Sequence, residues 1–135
     1  MDEPKKELIR NWLVKAQHDL ASARKLASEP DPYLDTAIFH CQQAAEKAVK
    51  AVLVFHDQRH EKTHDIRRLL NLAAGFDRKL TEFLQLAATL TPYSTAFRYP
   101  DEKLSPDQHE FRAALEAADK IVEYIFKSLP PEVQP

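Results

Sequence analysis

His40-Cys41-Gln42-Gln43-Ala44-Ala45-Glu46-Lys47-Ala48-Val49-Lys50-Ala51-Val52-Leu53 is the stretch whose reading decides the fold. Ile38, Cys41, Ala45, Ala48, Val49 and Val52 recur at the i, i+3, i+4, i+7 spacing of one buried helix face. Gln42, Gln43, Glu46, Lys47 and Lys50 lie largely off that face. The face is narrow and made mostly of small residues, which lets helix axes approach within the usual ~8–10 Å. The stretch therefore reads as the central helix of a tight bundle against which the other segments pack.

The totals agree with an all-helical chain. At 135 residues and 44% hydrophobic, the sequence has room for one domain, 1–135, with a single core. One glycine in the whole chain argues against β structure, since hairpin turns and bulges need residues that tolerate positive φ. The nine prolines then belong at helix ends and in loops. A formal charge of −2 gives no global basic field, so any nucleic-acid site has to be local. Cys41, the single cysteine, has no partner for an internal disulfide and suits a reducing cytoplasm. No apolar run approaches the ~20 residues of a membrane span, and no apolar segment follows the charged N-terminus as in a secretory leader. A cytoplasmic protein without membrane contact is expected.

Outward from the central stretch, Leu8, Ile9, Trp12, Ala16, Leu20, Ala23 and Ala27 predict a first helix from about Pro4 to Ala27, with Trp12 as a core anchor. His18 and Asp19 are its polar oddities, expected to face solvent or a neighbouring helix end. Asp31-Pro32 reads as the start of the second helix, which runs to about Phe55. The connector 56–64 is polar; its histidines at 56, 60 and 64 read as residues near a helix C-terminus rather than a metal set. Thr63 or Asp65 starts a short third helix with Ile66, Leu69, Leu70 and Ala73, ended by Gly75 in the left-handed region. Asp77 caps a fourth carrying Leu80, Phe83, Leu84, Ala87, Ala88 and Leu90, up to Thr91-Pro92. Ser105-Pro106-Asp107-Gln108 reads as a capping box before a last helix with Phe111, Ala114, Leu115, Ala118, Ile121, Val122, Ile125 and Phe126. The fold class is an up-and-down bundle of four to five helices.

Between the last two helices, 91–104 is an odd linker because it holds three aromatics and an arginine. Tyr93, Phe97 and Tyr99 offer flat faces for a base, and Arg98 offers a planar fork for a phosphate. Lys47 on the central helix is a further candidate contact. The alternative is a brace, in which the rings pin the loop to the bundle and Arg98 pairs with Asp101 or Glu102. The residues alone leave both readings open.

The run from Gln42 to Ala51, then Thr63-His64-Asp65-Ile66, then Tyr93 with Arg98-Tyr99-Pro100-Asp101, resembles the short prokaryotic HEPN domain. Trp12, Ala16, Asp19 and Leu20 resemble its first helix, so the likeness spans nearly the whole chain. The resemblance implies a helical bundle, usually a homodimer, associated with nucleotides or RNA and often encoded beside a minimal nucleotidyltransferase in a toxin–antitoxin pair. No cofactor and no metal are expected. Ribonuclease members of that family carry an arginine and a histidine four to six residues apart in the final helical region. This sequence departs from that pattern: Arg98 and His109 have ten residues between them, and Arg59 and His64, at the right spacing, fall in the connector after the second helix.

Three readings compete. The first is a homodimeric binding module that meets a nucleotide, RNA or a nucleotidyltransferase through the Tyr93 to Asp101 loop. The second is a metal-independent ribonuclease toxin using Arg98 with His109 or His64. The third is a structural dimerisation domain. A homodimer is expected in each, because five helices each carry an apolar face in only 135 residues.

Overall fold

In the computed structural model, residues 1–28, 30–59, 62–100 and 103–135 are described. They form five α-helices: α1 (Glu3–Ser28), α2 (Leu34–Phe55), α3 (Ile66–Ala74), α4 (Leu84–Leu90) and α5 (Gln108–Ser128). Short 3-10 turns at Arg78–Phe83, Thr91–Ser94 and Pro131–Val133 flank them. No strand occurs among the described residues.

The chain is an up-and-down bundle with α2 at its centre. Cross-helix contacts give the directions: Lys50 lies over the Trp12 ring at 5.4 Å, and Lys47 and His40 reach Asp19. Rising numbers on α2 thus meet falling numbers on α1, so the two form an antiparallel hairpin. Arg10 donates to the Glu132 carbonyl at 2.8 Å and Arg24 pairs with Asp119, which sets α5 antiparallel to α1. α2 also touches α3, α4 and the 91–94 turn. Being covered on several sides, it buries Ala37, Ala44, Ala45, Ala48 and Ala51 completely. A larger side chain at these fully buried alanines would overpack a filled core, which costs ~1–3 kcal/mol.

The same enclosure corrects the helical-wheel reading of α2. Gln42 and Glu46 are buried at 0% and 2% exposure, and Gln43, Lys47 and Lys50 are half-buried. A wheel separates apolar from polar positions; it does not say that a second helix covers the polar side. On α1 the buried stripe is Ile9, Leu13, Ala16, Asp19, Leu20 and Ala23, so Leu13 takes the place expected for Leu8, which is exposed. Trp12 is half-buried against the core.

Helix ends differ from expectation in four places, each for a local hydrogen-bonding reason. α2 begins at Leu34 with Tyr33 at its N-cap, so Asp31 does not cap it; the Tyr33 N–H donates to the Leu26 carbonyl at 3.1 Å instead, closing the hairpin. At the other end of α2, Gln58 N–H donates to Leu53 O at 2.8 Å and Asp57 N–H to Val54 O at 3.0 Å, the paired bonds of a Schellman stop. Asp57 supplies its left-handed residue at φ 56°, a conformation aspartate tolerates.

Gly75 sits at φ −63°, not in the left-handed region, because the chain turns on through bonds from Phe76 and Asp77 to the Ala73 carbonyl. Asp77 does act as a cap, but its carboxylate accepts from Lys79 N–H two residues on, and the capped segment starts as a 3-10 turn before α4. α5 is capped by Asp107, whose side chain accepts from Glu110 N–H at 2.8 Å, two residues later than the expected Ser105 cap. Asp65 caps α3 as read. No helix of the described residues is long and apolar enough to cross a membrane.

Candidate functional site

The site begins with Asp19. It lies on the buried stripe of α1 at 7% exposure and accepts two bonds from α2. Lys47 Nζ donates to Oδ2 at 2.6 Å, and His40 Nδ1 lies 2.7 Å from Oδ1. Asp19 is therefore neither solvent-facing nor at a helix end, and Lys47 serves it as a counter-ion rather than standing free for a ligand. His40 and Lys47 are seven residues apart, two helical turns, so both reach the same point of α1. His18, beside Asp19, is exposed.

With Nδ1 held by a carboxylate, the His40 ring has a fixed orientation and its Nε2 is the nitrogen left for a ligand. His40 lines two neighbouring clefts. One, of about 330 Å³, is bounded by Asp35, Thr36, Phe39, His40, Phe97 and Arg98. The other, of about 570 Å³, is bounded by Ser22, Lys25, Leu26, Pro30, Asp31, Tyr33 and His40.

The 91–99 segment divides its expected roles. Tyr93 is buried and its hydroxyl donates to Glu110 at 2.7 Å, which pushes the phenol pKa well up through burial and the carboxylate bond together. Phe97 stacks on Tyr93 with ring centroids 6.0 Å apart. These two rings act as the brace, although Phe97 also forms a wall of the smaller cleft. Phe97 is held at φ 67°, where a bulky residue is strained by roughly 1–3 kcal/mol. Tyr99 is exposed.

That turn delivers Arg98 to the surface. Its guanidinium lies 4.2 Å from the Phe39 ring centroid, and Nη1 donates to the Ser94 carbonyl at 3.1 Å. Stacking on an aromatic face fixes the plane of the guanidinium while its edge donors remain available. The alternative pairing with Asp101 or Glu102 concerns residues outside those described. The structure thus joins Arg98, Phe97 and His40 in one cleft. The sequence reading missed His40; the signal was Asp19, a carboxylate set on an otherwise apolar stripe and in need of partners.

The histidines expected as partners of Arg98 have other surroundings. His64 Nδ1 lies 2.9 Å from Glu46 Oε1, and His109 is exposed in the first turn of α5. His64 is not among the residues lining the Arg98 cleft, and neither is His109. Glu46 is the hub of a second polar cluster, accepting also from Lys50 at 3.0 Å and Gln42 at 3.1 Å. Burial raises its pKa, but the bonds from Lys50, His64 and Gln42 outweigh that, and the net shift is downward. His56 stacks flat on Phe76 at 4.5 Å, and burial, with Lys5 nearby, lowers its pKa. His60, the third histidine of the connector, falls outside the described residues. Burial pushes the Cys41 thiol up to about 12, so it is an inert packing group.

Comparison with known proteins adds to this geometry. The HEPN domain model matches residues 9–129. The chain belongs to the HEPN domain family. Among solved structures, this HEPN chain is similar to TT1696 from Thermus thermophilus, with 29% identity, 90% of this chain and 98% of that one covered, and a TM-score of 0.75. It is also similar to ST0689, described as an archaeal HEPN homologue, with 27% identity, 88% and 95% coverage, and a TM-score of 0.67. No curated protein matches the sequence. The resemblance read from Gln42–Ala51, Thr63–Ile66 and the Arg98 region is therefore confirmed at family level, and with it a family associated with nucleotide- and RNA-related function.

Proposed function

We propose that this HEPN protein binds a nucleotide or RNA in the Arg98 cleft, as a homodimer and as one component of a HEPN/nucleotidyltransferase toxin–antitoxin pair. The observation that supports it most is the exposed Arg98 guanidinium, stacked on Phe39 with His40 in the same cleft. A phosphate there meets a planar donor fork, while Asp35 and Thr36 offer partners to sugar hydroxyls.

Arg98→Ala tests the binding reading. Its affinity for AMP or a short RNA should fall by the ~1.5–3 kcal/mol typical of hydrogen bonds to charged groups. Arg98→Lys should fall between, since a point charge keeps the attraction without the fork. Calorimetric titration and thermal melts on the same three proteins decide it. Affinity that tracks only the folded fraction would return Arg98 to the role of a loop brace.

A second reading, metal-independent ribonuclease, is favoured by one specific feature: His40, held by Asp19, lines the cleft of Arg98 although the two are remote in sequence. His40 would take the proton of a 2′-hydroxyl as its oxygen bonds to phosphorus. The phosphorus–5′-oxygen bond then breaks, leaving a 2′,3′-cyclic phosphate and, after protonation, a 5′-hydroxyl. Arg98 would bear the charge of the phosphorane, and Asp19 that of the imidazolium. RNA incubated with chelator and wild type should then yield cyclic-phosphate ends that His40→Ala does not produce. Intact RNA with the wild type would leave the binding reading alone.

A further inference from the structure

The larger cleft has no part in the phosphate site, yet it meets the Arg98 cleft at His40. The two differ in chemistry. The smaller sets Arg98, Asp35 and Thr36 beside the rings of Phe39 and Phe97; the larger is more apolar, walled by Leu26, Pro30 and Tyr33, with Lys25 also in its lining. A nucleotide has the same division, an apolar flat base joined through a sugar to an anionic phosphate.

We propose that the larger cleft is a base subsite, in which the nucleobase of a nucleoside monophosphate unit stacks on Tyr33 while its phosphate is held at Arg98. The proposal rests on the Arg98 cleft binding the phosphate. Tyr33 suits the role because the residue is 58% exposed although its backbone is fixed on both sides. Its N–H donates to Leu26 O at 3.1 Å and its carbonyl accepts from Ala37 N–H at 2.9 Å. An exposed aromatic on a fixed backbone loses little freedom on stacking, which is how sequence-tolerant base platforms work. Lys25 supplies positive charge to the lining of this cleft, as Arg98 does in the other. The Asp31 carboxylate can accept from base N–H groups. His40, oriented by Asp19, stands at the junction where the sugar passes.

The test compares AMP with ribose 5-phosphate, which keeps the sugar and phosphate but has no base. Both are titrated calorimetrically into wild type, Tyr33→Ala, Tyr33→Phe and Arg98→Ala, with melts to confirm folding. Wild type should bind AMP about tenfold more tightly, within the range of one base–aromatic stack. Tyr33→Ala should bring AMP down to ribose 5-phosphate without changing the latter, and Tyr33→Phe should keep most of the difference. Arg98→Ala should weaken both probes alike. Equal affinities in wild type, with Arg98 dependence intact, would overturn the base subsite alone. So would a Tyr33→Ala effect shared equally by both probes. Binding of neither probe, or no effect of Arg98→Ala, would overturn the phosphate site and the subsite together.

Discussion

Asp19 and Glu46 are buried carboxylates assembled from the same parts. Each takes one bond from a lysine and one from a histidine Nδ1: Lys47 and His40 for Asp19, Lys50 and His64 for Glu46. Their surroundings separate them. Glu46 gains a third donor in Gln42, whose amide also donates to the His64 carbonyl at 3.2 Å, so the cluster ties the segment before α3 onto α2. Asp19 has no such closure among the described residues, and its histidine lines two clefts. The contrast separates the two roles physically. The separation is one of place rather than exposure: His64 is the more open ring, at 67% side-chain exposure against 27% for His40, but it closes a cluster that fastens the chain to itself, whereas His40 borders both clefts.

The largest way to break the contrast is Glu46→Ala. Removing one side of a buried ionic cluster leaves Lys50 and Gln42 without their acceptor, and breaking such a pair costs ~3–5 kcal/mol. Denaturant unfolding should show that loss, with binding per folded molecule unchanged. The pH dependence has a fixed sign. Because the folded-state pKa of Glu46 is lowered below its ordinary 4.5, its contribution is fully present above that value and is lost as pH falls through the lower folded value. Melting temperature followed downward from about pH 5 should therefore drop less in Glu46→Gln than in wild type.

Asp19→Asn sharpens the contrast from the other side. It keeps the shape but removes the charge that holds Lys47 and His40, and should cost about 1–3 kcal/mol. Unlike the Glu46 changes, it should also weaken AMP binding and free the His40 ring, visible in imidazole NMR as a change of tautomer balance. A stability loss with binding intact would make Asp19 a second Glu46. The smallest effect expected is Tyr93→Phe, which deletes one bond to Glu110 and should lower stability by about 1 kcal/mol. Because Phe97 still has a ring to stack on, AMP affinity should stay within about twofold in this variant; a larger fall would mean that the brace itself tunes the cleft.

The bundle was largely legible from spacing, because burial of a helix face writes a 3.6-residue period into the sequence whatever the partner. Ile38 to Val52, Ile66 to Ala73 and Phe111 to Ile125 all follow it. Helix ends were less so: Asp31 and Ser105 carry cap chemistry but the helices start beyond them, and Gly75 ends α3 as read but at φ −63°, outside the left-handed region. The Arg98 loop was visible as a composition anomaly. Its histidine was not, because His40 and Arg98 lie on segments with α3 and α4 between them, and no local spacing links them. Lys47 looked like a surface cation for the same reason: its acceptor, Asp19, belongs to another helix.

The bond that closes the α1–α2 hairpin, Tyr33 N–H to Leu26 O, also bears on the order of assembly. Contacts between elements adjacent in the chain close short loops, and short loops form first at low entropic cost. Asp19, His40 and Tyr33 all belong to that hairpin, so half of the cleft system can be in place at the earliest stage of folding. Arg98 depends on the 91–97 turn, and that turn is fastened by Glu110 of α5, the last helix in the sequence. The cleft is thus made of an early half and a late half, and Arg98 belongs to the late one.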